Sequence, residues 1–523
     1  MTSEAQYTID EAALPDGIAQ SLQSLLPVRT RPIARHRLVL LDTFNGRIAA
    51  TGGRLTTRAG TGGARLEWQP QDRQVRLEVG LKTPVDFVWN LPCGPLRDSL
   101  EPIIDVRRLL PQVEVEIQGR MLDVLDDDRK TVARIRIESG RARTQGRPSA
   151  WERIPTLVTL TALRGYDAAY ERLRRIIESR PGLKRSPDGL QGIALQALGV
   201  SPPRDASEFD VALVPSVRAD AGARQIYNAL LDIMIANEPG MRADLDTEFL
   251  HDYRVSLRRT RSLLGQIKNV FLEYVVGHFR DEFRWLAQAT SAKRDLDVLL
   301  LNLRGMSDSL PVDDLAALLA FLGRKQLHEQ DVLERLFESK RYRTLLASWR
   351  SFLQDAPPGV SEPTDAALPL VQVTSQRILR LYRRLVDQAK AIHDETPADA
   401  IHQVRIEAKK LRYMIDATRS LHDRRDLDRI IDRLKKVQSV LGDFNDAQVQ
   451  EHNLVSFGSA LLEAGAGESG VLLTVGRLAE NARNRAVLLR PQVDRELSRF
   501  CKGGIREDFR GLFKRSASVG TAQ

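Results

Sequence analysis

The stretch His251–Leu264, HDYRVSLRRTRSLL, returns 151 residues later as HQVRIEAKKLRYMI over His402–Ile415. In both copies, a histidine is followed by basic residues at the third, seventh and tenth positions after it. The same offset, without gaps, also aligns Asp295 with Asp446. An offset that holds over about fifty residues predicts two copies of one helical unit, packed with pseudo-two-fold symmetry.

The spacing of these basic residues places them on one side of each helix. At about 100° per residue, the first copy has a polar stripe about 100° wide opposite an apolar face. The members of this stripe are His251, Arg254, Arg258, Arg261 and Lys268, and their counterparts in the second copy are His402, Arg405, Lys409 and Arg412. Like charges three and four residues apart destabilise an isolated helix by roughly 0.2–0.5 kcal/mol per pair. The duplicated stripe therefore favours an anion-binding role over the structural alternative, a merely solvated basic face.

The hydrophobic pattern changes its period along the chain. Short alternating runs predict antiparallel strands over 37–158, with a hairpin over 113–137 that turns at Asp126–Asp128. After a proline-containing linker at 201–216, nearly every segment has helical periodicity. The predicted helices that flank and contain the repeat are 244–275, 277–304, 397–422, 424–441 and 443–465.

These patterns predict a multidomain chain. Residues 1–200 form a mostly antiparallel β domain of the α+β class, and residues 217–513 form an all-α domain. The all-α domain has two halves, at about 217–354 and 366–513.

The composition is that of an ordinary globular protein. Lys and Arg number 78 against 69 Asp and Glu, and a net charge of +9 over 523 residues is mild, so it fits an anionic partner without identifying one. Cys93 and Cys501 have no metal-ligand spacing, so neither a disulfide framework nor a zinc site is expected. No apolar window has the length of a membrane span, and the first residues lack an apolar signal segment. We therefore expect a cytoplasmic location and no membrane partner.

The two signatures resemble the CHAD family, the conserved-histidine α-helical domain. The resemblance includes KRDLDVLL downstream of the first copy and LGDFNDAQV downstream of the second, and it covers about Val217 to Phe513. It implies two pseudo-symmetric four-helix bundles around a basic pore or groove that binds inorganic polyphosphate. By position, it implies as ligands the histidines and the Arg and Lys residues of both stripes. It implies as further contacts Arg259, Lys293, Arg294, Lys410, Lys435 and Lys436, whereas Asp295, Asn445 and Asp446 are expected to orient arginines or cap helices.

The N-terminal domain resembles the CYTH family, which has the triphosphate-tunnel fold. The similar segments are LVLLDTFNGRIAATGGRLTTR over 38–58 and the hairpin over 113–137. Active members of that family begin with an E-x-E-x-K strand, whose carboxylates hold a divalent metal. No such string occurs here; the nearest, Glu114-Val-Glu116-Ile-Gln118, has Gln in place of Lys and lies elsewhere in the domain. The resemblance therefore implies a degenerate barrel without a metal site, since metal-assisted hydrolysis needs that carboxylate pair.

Three functions fit the sequence. The first is binding of inorganic polyphosphate without turnover, on polyphosphate granules, with no cofactor, no metal and no catalytic residue. The second is a metal-dependent triphosphate hydrolase or cyclase in the N-terminal domain, against which the missing motif counts. The third is binding of the RNA or nucleic-acid backbone; nucleic acid is not expected as the partner, because only 6% of the residues are aromatic and none belongs to a base-stacking motif. The oligomeric state stays open.

Overall fold

A computed structural model describes most of the chain as two compact units, Met1–Ala206 and Ser207–Gln523. The described residues are 4–9, 15–60, 63–71, 76–145, 150–180, 182–186, 189–200, 209–305, 311–354, 363–393, 395–465, 467–502 and 504–518. Half of the predicted linker, 201–208, lies outside them, as does 355–362, in the segment between the predicted helical halves.

The first unit is built on one nine-stranded antiparallel sheet, in agreement with the predicted β domain. Its strands are β1 Glu4–Ile9, β2 Val28–Asp42, β3 Arg54–Gly60, β4 Gly63–Gln69, β5 Leu77–Leu81, β6 Leu110–Leu125, β7 Thr131–Thr144, β8 Glu152–Ala162 and β9 Leu183–Arg185. Their order across the sheet is β5-β4-β3-β2-β6-β7-β8-β1-β9. Its helices are α1 Pro15–Gln23, α2 Arg47–Ala50, α3 Pro95–Ile104, α4 Asp167–Glu178 and α5 Gly189–Ala197. The predicted hairpin over 113–137 is confirmed, because β6 and β7 pair with each other and turn at 126–130.

Strand β6 explains how the sheet separates apolar from polar side chains. Val113, Val115 and Ile117 alternate with Glu114 and Glu116, so the two sets point to opposite faces. The apolar set packs with residues of α5 in one core cluster. The opposite face receives the two carboxylates, both of which are buried.

The second unit is helical, as the sequence predicts. Its helices are α6 Ala219–Arg242, α7 Thr247–Gln266, α8 Glu273–Ala289, α9 Ser291–Gly305, α10 Val312–Glu338, α11 Lys340–Gln354, α12 Leu370–Lys390, α13 Ala398–Ala417, α14 Arg424–Glu463, α15 Ser469–Lys502 and α16 Ile505–Ser518. Over the described residues, none of these helices combines the length and the apolar character that crossing a membrane requires.

The internal repeat is visible in where the helices begin. The offset of 151 residues relates the first residues of α6, α7 and α8 to those of α12, α13 and α14, and it relates the last residues of α7 and α13. The halves differ downstream, because α8 and α9 are separated at Thr290 whereas α14 runs unbroken over the corresponding residues. The predictions of one helix over 277–304 and of two helices over 424–465 are both wrong.

Side-chain chemistry at the two positions explains this difference. The hydroxyl of Thr290 donates to the carbonyl of Leu286, and the hydroxyl of Ser291 donates to that of Ala287, so both compete with the helical backbone pattern. The corresponding residue in α14, Leu441, is buried and has no such donor.

The helix predicted over 244–275 is shorter in the structure. It ends at Gln266, and Asn269 adopts a left-handed backbone conformation with φ of 60°. Lys268 therefore lies beyond the helix, and its assignment to the helical stripe is wrong.

A close approach of two helices fixes the position of α7. A Cβ added to Gly240 of α6 would lie 2.2 Å from the ring of Phe249, which is itself buried at the start of α7. Asp246 caps α7 by accepting hydrogen bonds from the backbone of Glu248 and Phe249. Packing and capping together hold the basic stripe in place.

Candidate functional site

The basic stripes of α7 and α13 meet around Arg258. Helices α7 and α13 contact each other, and the positive charge of Arg258 lowers the pKa of five surrounding cations. These five are Arg254, Arg261, Arg294, Arg405 and Lys409. Arg258 is exposed, and no carboxylate of the described residues forms an ion pair with it. Six of the predicted residues, from both copies of the repeat, thus influence one another electrostatically, and we call them the Arg258 cluster.

The second copy supplies two desolvated members of the cluster, Lys409 and Arg405. Burial lowers the pKa of Lys409 to about 7, and the charges of Arg258 and Arg405 act in the same direction. Burial also lowers the pKa of Arg405, against the effect of Asp446, whose carboxylate lies 3.5 Å from its guanidinium. Within the described part of the chain, the Nε of Arg405 is buried and makes no hydrogen bond. These groups lose solvation without gaining full compensation from the protein, which favours an anionic ligand.

The two histidines make equivalent contacts, but one accepts a hydrogen bond where the other donates one. The Nδ1 of His251 lies 2.8 Å from Nη2 of Arg294, and the Nδ1 of His402 lies 2.6 Å from Oδ1 of Asn445. Arg294 and Asn445 correspond to each other in the repeat. Because a guanidinium only donates, Nδ1 of His251 accepts; because an amide oxygen only accepts, Nδ1 of His402 donates. The Nδ2 of Asn445 donates to Asp446, and this supports the assigned orientation of the amide.

Arg254 is anchored more firmly than its counterpart Arg405. Its Nη1 donates to the carbonyl of Ala287 at 2.7 Å and to the hydroxyl of Thr290 at 2.6 Å, and Nη2 donates to Ser291. Burial, followed by the charge of Arg258, lowers the pKa of Arg254 to about 10. Arg254 is therefore tied to the α8–α9 break, with only part of its guanidinium left for a ligand.

The cluster extends beyond the predicted residues onto α8. After burial, the largest influences that lower the pKa of Arg261 are the charges of Arg284 and Arg280. Arg280 corresponds to Ile431 in the second half, so the repeat contains no signal for it. Arg284 corresponds to Lys435, and this match is the signal that could have identified it.

Three other predicted residues are engaged by carboxylates. Arg412 lies 3.4 Å from Asp416 and donates to Gln438, and Arg259 lies 3.9 Å from Asp416. Lys410 pairs with the buried Glu407 at 2.7 Å. Arg259 and Arg412 thereby connect α13 with α7 and α14, whereas the Lys410 pair lies within α13.

The remaining predicted contacts do not join the cluster. Lys293 is only 4% exposed and pairs with Asp244 at 2.9 Å and Asp297 at 2.8 Å, so these carboxylates engage its ammonium group, and its role as a contact stays a prediction. Lys435 is exposed and lies 3.9 Å from Asp432. Lys436 points into a different groove, between α14 and α15.

One group of potential metal ligands borders the cluster. Among the described residues, the ligand atoms of Glu248, His251 and Asp252 lie within 4.8 Å of one another. The guanidinium of Arg294 contacts the same histidine and lies 3.7 Å from Glu248. A fixed positive charge in this position disfavours a metal cation by direct repulsion.

The carboxylates of the N-terminal sheet are held by arginines. Glu116 accepts hydrogen bonds from Arg35, Arg37 and Arg141. These bonds, of which the one from Arg35 has the largest effect, lower the pKa of Glu116 to about 2. Glu114 accepts from Arg143 at 2.6 Å. Metal coordination at this pair would require breaking several charge-assisted hydrogen bonds.

Comparison with known proteins finds similarities in the helical region. Residues 225–455 match the family model of the CHAD domain. The chain is 28% identical over 298 residues to an uncharacterised protein of Mycobacterium tuberculosis, represented in two strains; the match covers 55% of this chain and 54% of the relative. The chain thus spans about half the length of the curated relatives it matches.

Two solved structures are also similar. The CHAD domain from the plant Ricinus communis has 22% sequence identity and a TM-score of 0.47, with 55% of this chain and 94% of that chain covered. PptA from Streptomyces chartreusis has 17% identity and a TM-score of 0.41, with 54% and 100% covered.

Proposed function

Because residues 225–455 form a CHAD domain and the N-terminal antiparallel sheet is consistent with a CYTH-like fold, we propose that this chain binds inorganic polyphosphate through the Arg258 cluster. The observation that supports the proposal most directly is the convergence of five cations, from both halves of the repeat, around one exposed arginine. A linear chain of phosphates supplies closely spaced negative charges that match such a cluster. Arginine offers two parallel donors to phosphate oxygens, and lysine acts as a point charge.

The electrostatics of the unliganded cluster support binding rather than a structural role. Desolvation lowers the pKa of Arg254, Arg261, Arg405 and Lys409, so each charged form is destabilised when no ligand is bound. A polyanion restores the lost solvation as charge-assisted hydrogen bonds. We propose that the same binding associates the protein with polyphosphate granules in the cytoplasm.

Arg258→Glu tests the cluster at its centre. Because hydrogen bonds to charged groups contribute roughly 1.5–3 kcal/mol, we expect this reversal to weaken polyphosphate binding at least about tenfold. A binding isotherm with polyphosphate of defined chain length measures the effect, and repeating it at several salt concentrations should give a shallower slope for the variant.

Arg350→Glu is the matched control for Arg258→Glu. Arg350 is an exposed cation of α11, which contributes no residue to the cluster, so its reversal should change affinity less than about twofold. Equal losses in the two variants would mean that binding depends on net charge alone, and an unchanged affinity of Arg258→Glu would refute the site.

Competition with RNA separates polyphosphate binding from general recognition of phosphate backbones. The cluster is dense in cations, and we expect RNA to displace bound polyphosphate only when its phosphate concentration is in large excess. Filter binding with labelled polyphosphate measures this. Displacement at equal phosphate concentration would instead favour the nucleic-acid alternative.

A further inference from the structure

A second basic groove lies between α14 and α15. It has a volume of about 730 Å³. Arg433 and Lys436 line it from α14, and Arg495 and Arg499 line it from α15. This volume lies within the range of sites that hold compact ligands.

This groove is on a different face of α14 from the Arg258 cluster. The face of α14 that meets α13 is marked by Gln438, which donates to the carbonyl of Ala408, and by Asn445, which contacts His402. At 100° per residue, Lys436 and Arg433 lie about 160° and 220° around the helix from Gln438. A ligand in the groove therefore does not occupy the Arg258 cluster.

The groove has an uncompensated positive charge. Its one carboxylate among the described lining residues, Glu496, pairs with Arg499 at 2.5 Å. Arg495 donates to the backbone carbonyl of Pro491 rather than to an acid. In the part of the chain that the structure describes, no carboxylate forms an ion pair with Arg433 or Lys436. Four cations and one carboxylate leave an excess of about three charges for an anion to neutralise.

The positive charge is concentrated within about one helical turn. Arg433 and Lys436 are three residues apart, and Arg495 and Arg499 are four apart, so each wall presents two cations over about 4.5–6 Å. Between them, Val437 and Phe500 are almost fully buried and close the floor of the groove. An acidic helix would spread its carboxylates over several turns, whereas a short run of phosphates concentrates three or more charges in this length.

We propose that the α14–α15 groove is a second anion site that binds a linear triphosphate group, independently of the Arg258 cluster. Arginines on opposite walls supply paired donors to phosphate oxygens, and Lys436 adds a point charge. The triphosphate can be inorganic or part of a nucleotide, since both present the same charged group.

Isothermal titration of the full chain at low salt tests the groove. Tripolyphosphate and ATP are titrated separately into the wild type, Arg433→Glu/Arg495→Glu and Arg258→Glu, and circular dichroism verifies that each variant is folded. We expect two binding events in the wild type. The groove variant should weaken one event at least tenfold and leave the other unchanged, and Arg258→Glu should do the reverse. The ligand that binds the groove more tightly identifies the source of the triphosphate.

Arg483→Glu is the matched control for the groove variant. Arg483 is an exposed cation of the same helix, twelve residues or about 18 Å from Arg495, and its reversal should leave both events unchanged. Arg433→Gln/Arg495→Gln replaces the double reversal if that variant does not fold.

The possible results separate the two proposals. A single event that only Arg258→Glu removes would overturn the groove and leave the proposed function intact. A single event that only the groove variant removes would support the groove and count against the Arg258 cluster. Displacement of tripolyphosphate from the groove by polyglutamate at equal charge would overturn the assignment to phosphate.

Discussion

At the scale of single residues, the two halves of the site differ more than the repeat suggests. Nδ1 of His251 accepts a hydrogen bond from Arg294, whereas Nδ1 of His402 donates a hydrogen bond to Asn445. As neutral rings, the matched histidines therefore carry their proton on opposite nitrogens, Nε2 in His251 and Nδ1 in His402. A symmetric sequence thus produces a site with two chemically distinct ends.

Lys409 makes binding depend on pH. Burial lowers its pKa to about 7, and a bound polyanion stabilises the charged form and raises that pKa again. Below pH 7 the lysine is charged with or without ligand, and the pH dependence is small. Above pH 7 the free protein loses the proton, so binding takes one up, and we expect the affinity to fall as the pH rises. Titrations in buffers of different ionisation enthalpy measure this uptake.

Lys409→Arg is the control for proton uptake. Because arginine keeps its charge over this range, the variant should bind with a nearly constant affinity between pH 7 and pH 9. A wild-type affinity that is equally constant would contradict the role of Lys409.

The sequence predicted which residues belong to the cluster better than it predicted the surroundings of each residue. The spacing of Arg254, Arg258 and Arg261 is enough to place them on one face of a helix. That spacing does not predict that Arg254 is anchored by the α8–α9 break or that Lys293 turns inward toward Asp244, because both contacts depend on neighbours distant in sequence. Desolvation of Lys409 likewise follows from tertiary packing alone.

At the scale of secondary-structure elements, close packing of α6 on α7 holds the basic stripe. Gly240 permits this approach, and we expect Gly240→Ala to lower the free energy of unfolding of the helical unit by about 1–3 kcal/mol, since its methyl group would overlap the ring of Phe249. Urea denaturation followed by circular dichroism measures the change.

Gly277→Ala is the matched substitution in an open environment. Outside its chain neighbours and the adjacent backbone of its own helix, no described atom lies within 4 Å of a Cβ at this position of α8, and alanine favours a helix over glycine by about 1 kcal/mol. This variant should therefore be neutral or more stable. Equal destabilisation by the two substitutions would show that the contact with Phe249 has no special role.

Periodicity identified helices reliably but not where they are interrupted. It predicted a break in 424–465, which is continuous, and continuity in 277–304, which is broken at Thr290. The cause is a pair of hydroxyl groups, on Thr290 and Ser291, that bond to the preceding turn. Their effect is local, and a window averaged over a dozen residues does not resolve it.

At the scale of the whole molecule, the two units differ in whether their charged side chains are paired with opposite charges. The N-terminal sheet pairs its carboxylates with arginines, as at Glu114 and Glu116. The helical unit instead gathers five cations around Arg258, which itself has no ion pair among the described residues. The sequence predicted both architectures from periodicity, and net charge could not distinguish them.

We expect no metal-dependent turnover by the N-terminal unit. Three arginines hydrogen-bond to Glu116, so Mg²⁺ or Mn²⁺ would have to displace them to bind there. Release of phosphate from tripolyphosphate or ATP, with and without each metal, measures the activity. Robust release that Glu114→Ala/Glu116→Ala abolishes would restore the hydrolase alternative.

The α8–α9 break also explains how two copies of one unit can diverge. In the first copy the helix is broken, and Arg254 donates a hydrogen bond to the carbonyl of Ala287. In the second copy α14 is continuous, so the equivalent carbonyl of Gln438 belongs to the helical backbone and does not need Arg405 as a donor. In the first copy Arg254 is thus fixed by the fold, whereas in the second copy Arg405 remains available to a ligand. Affinity can therefore be adjusted through Arg405 at less expense to the stability of the fold than through Arg254, which holds the α8–α9 break together.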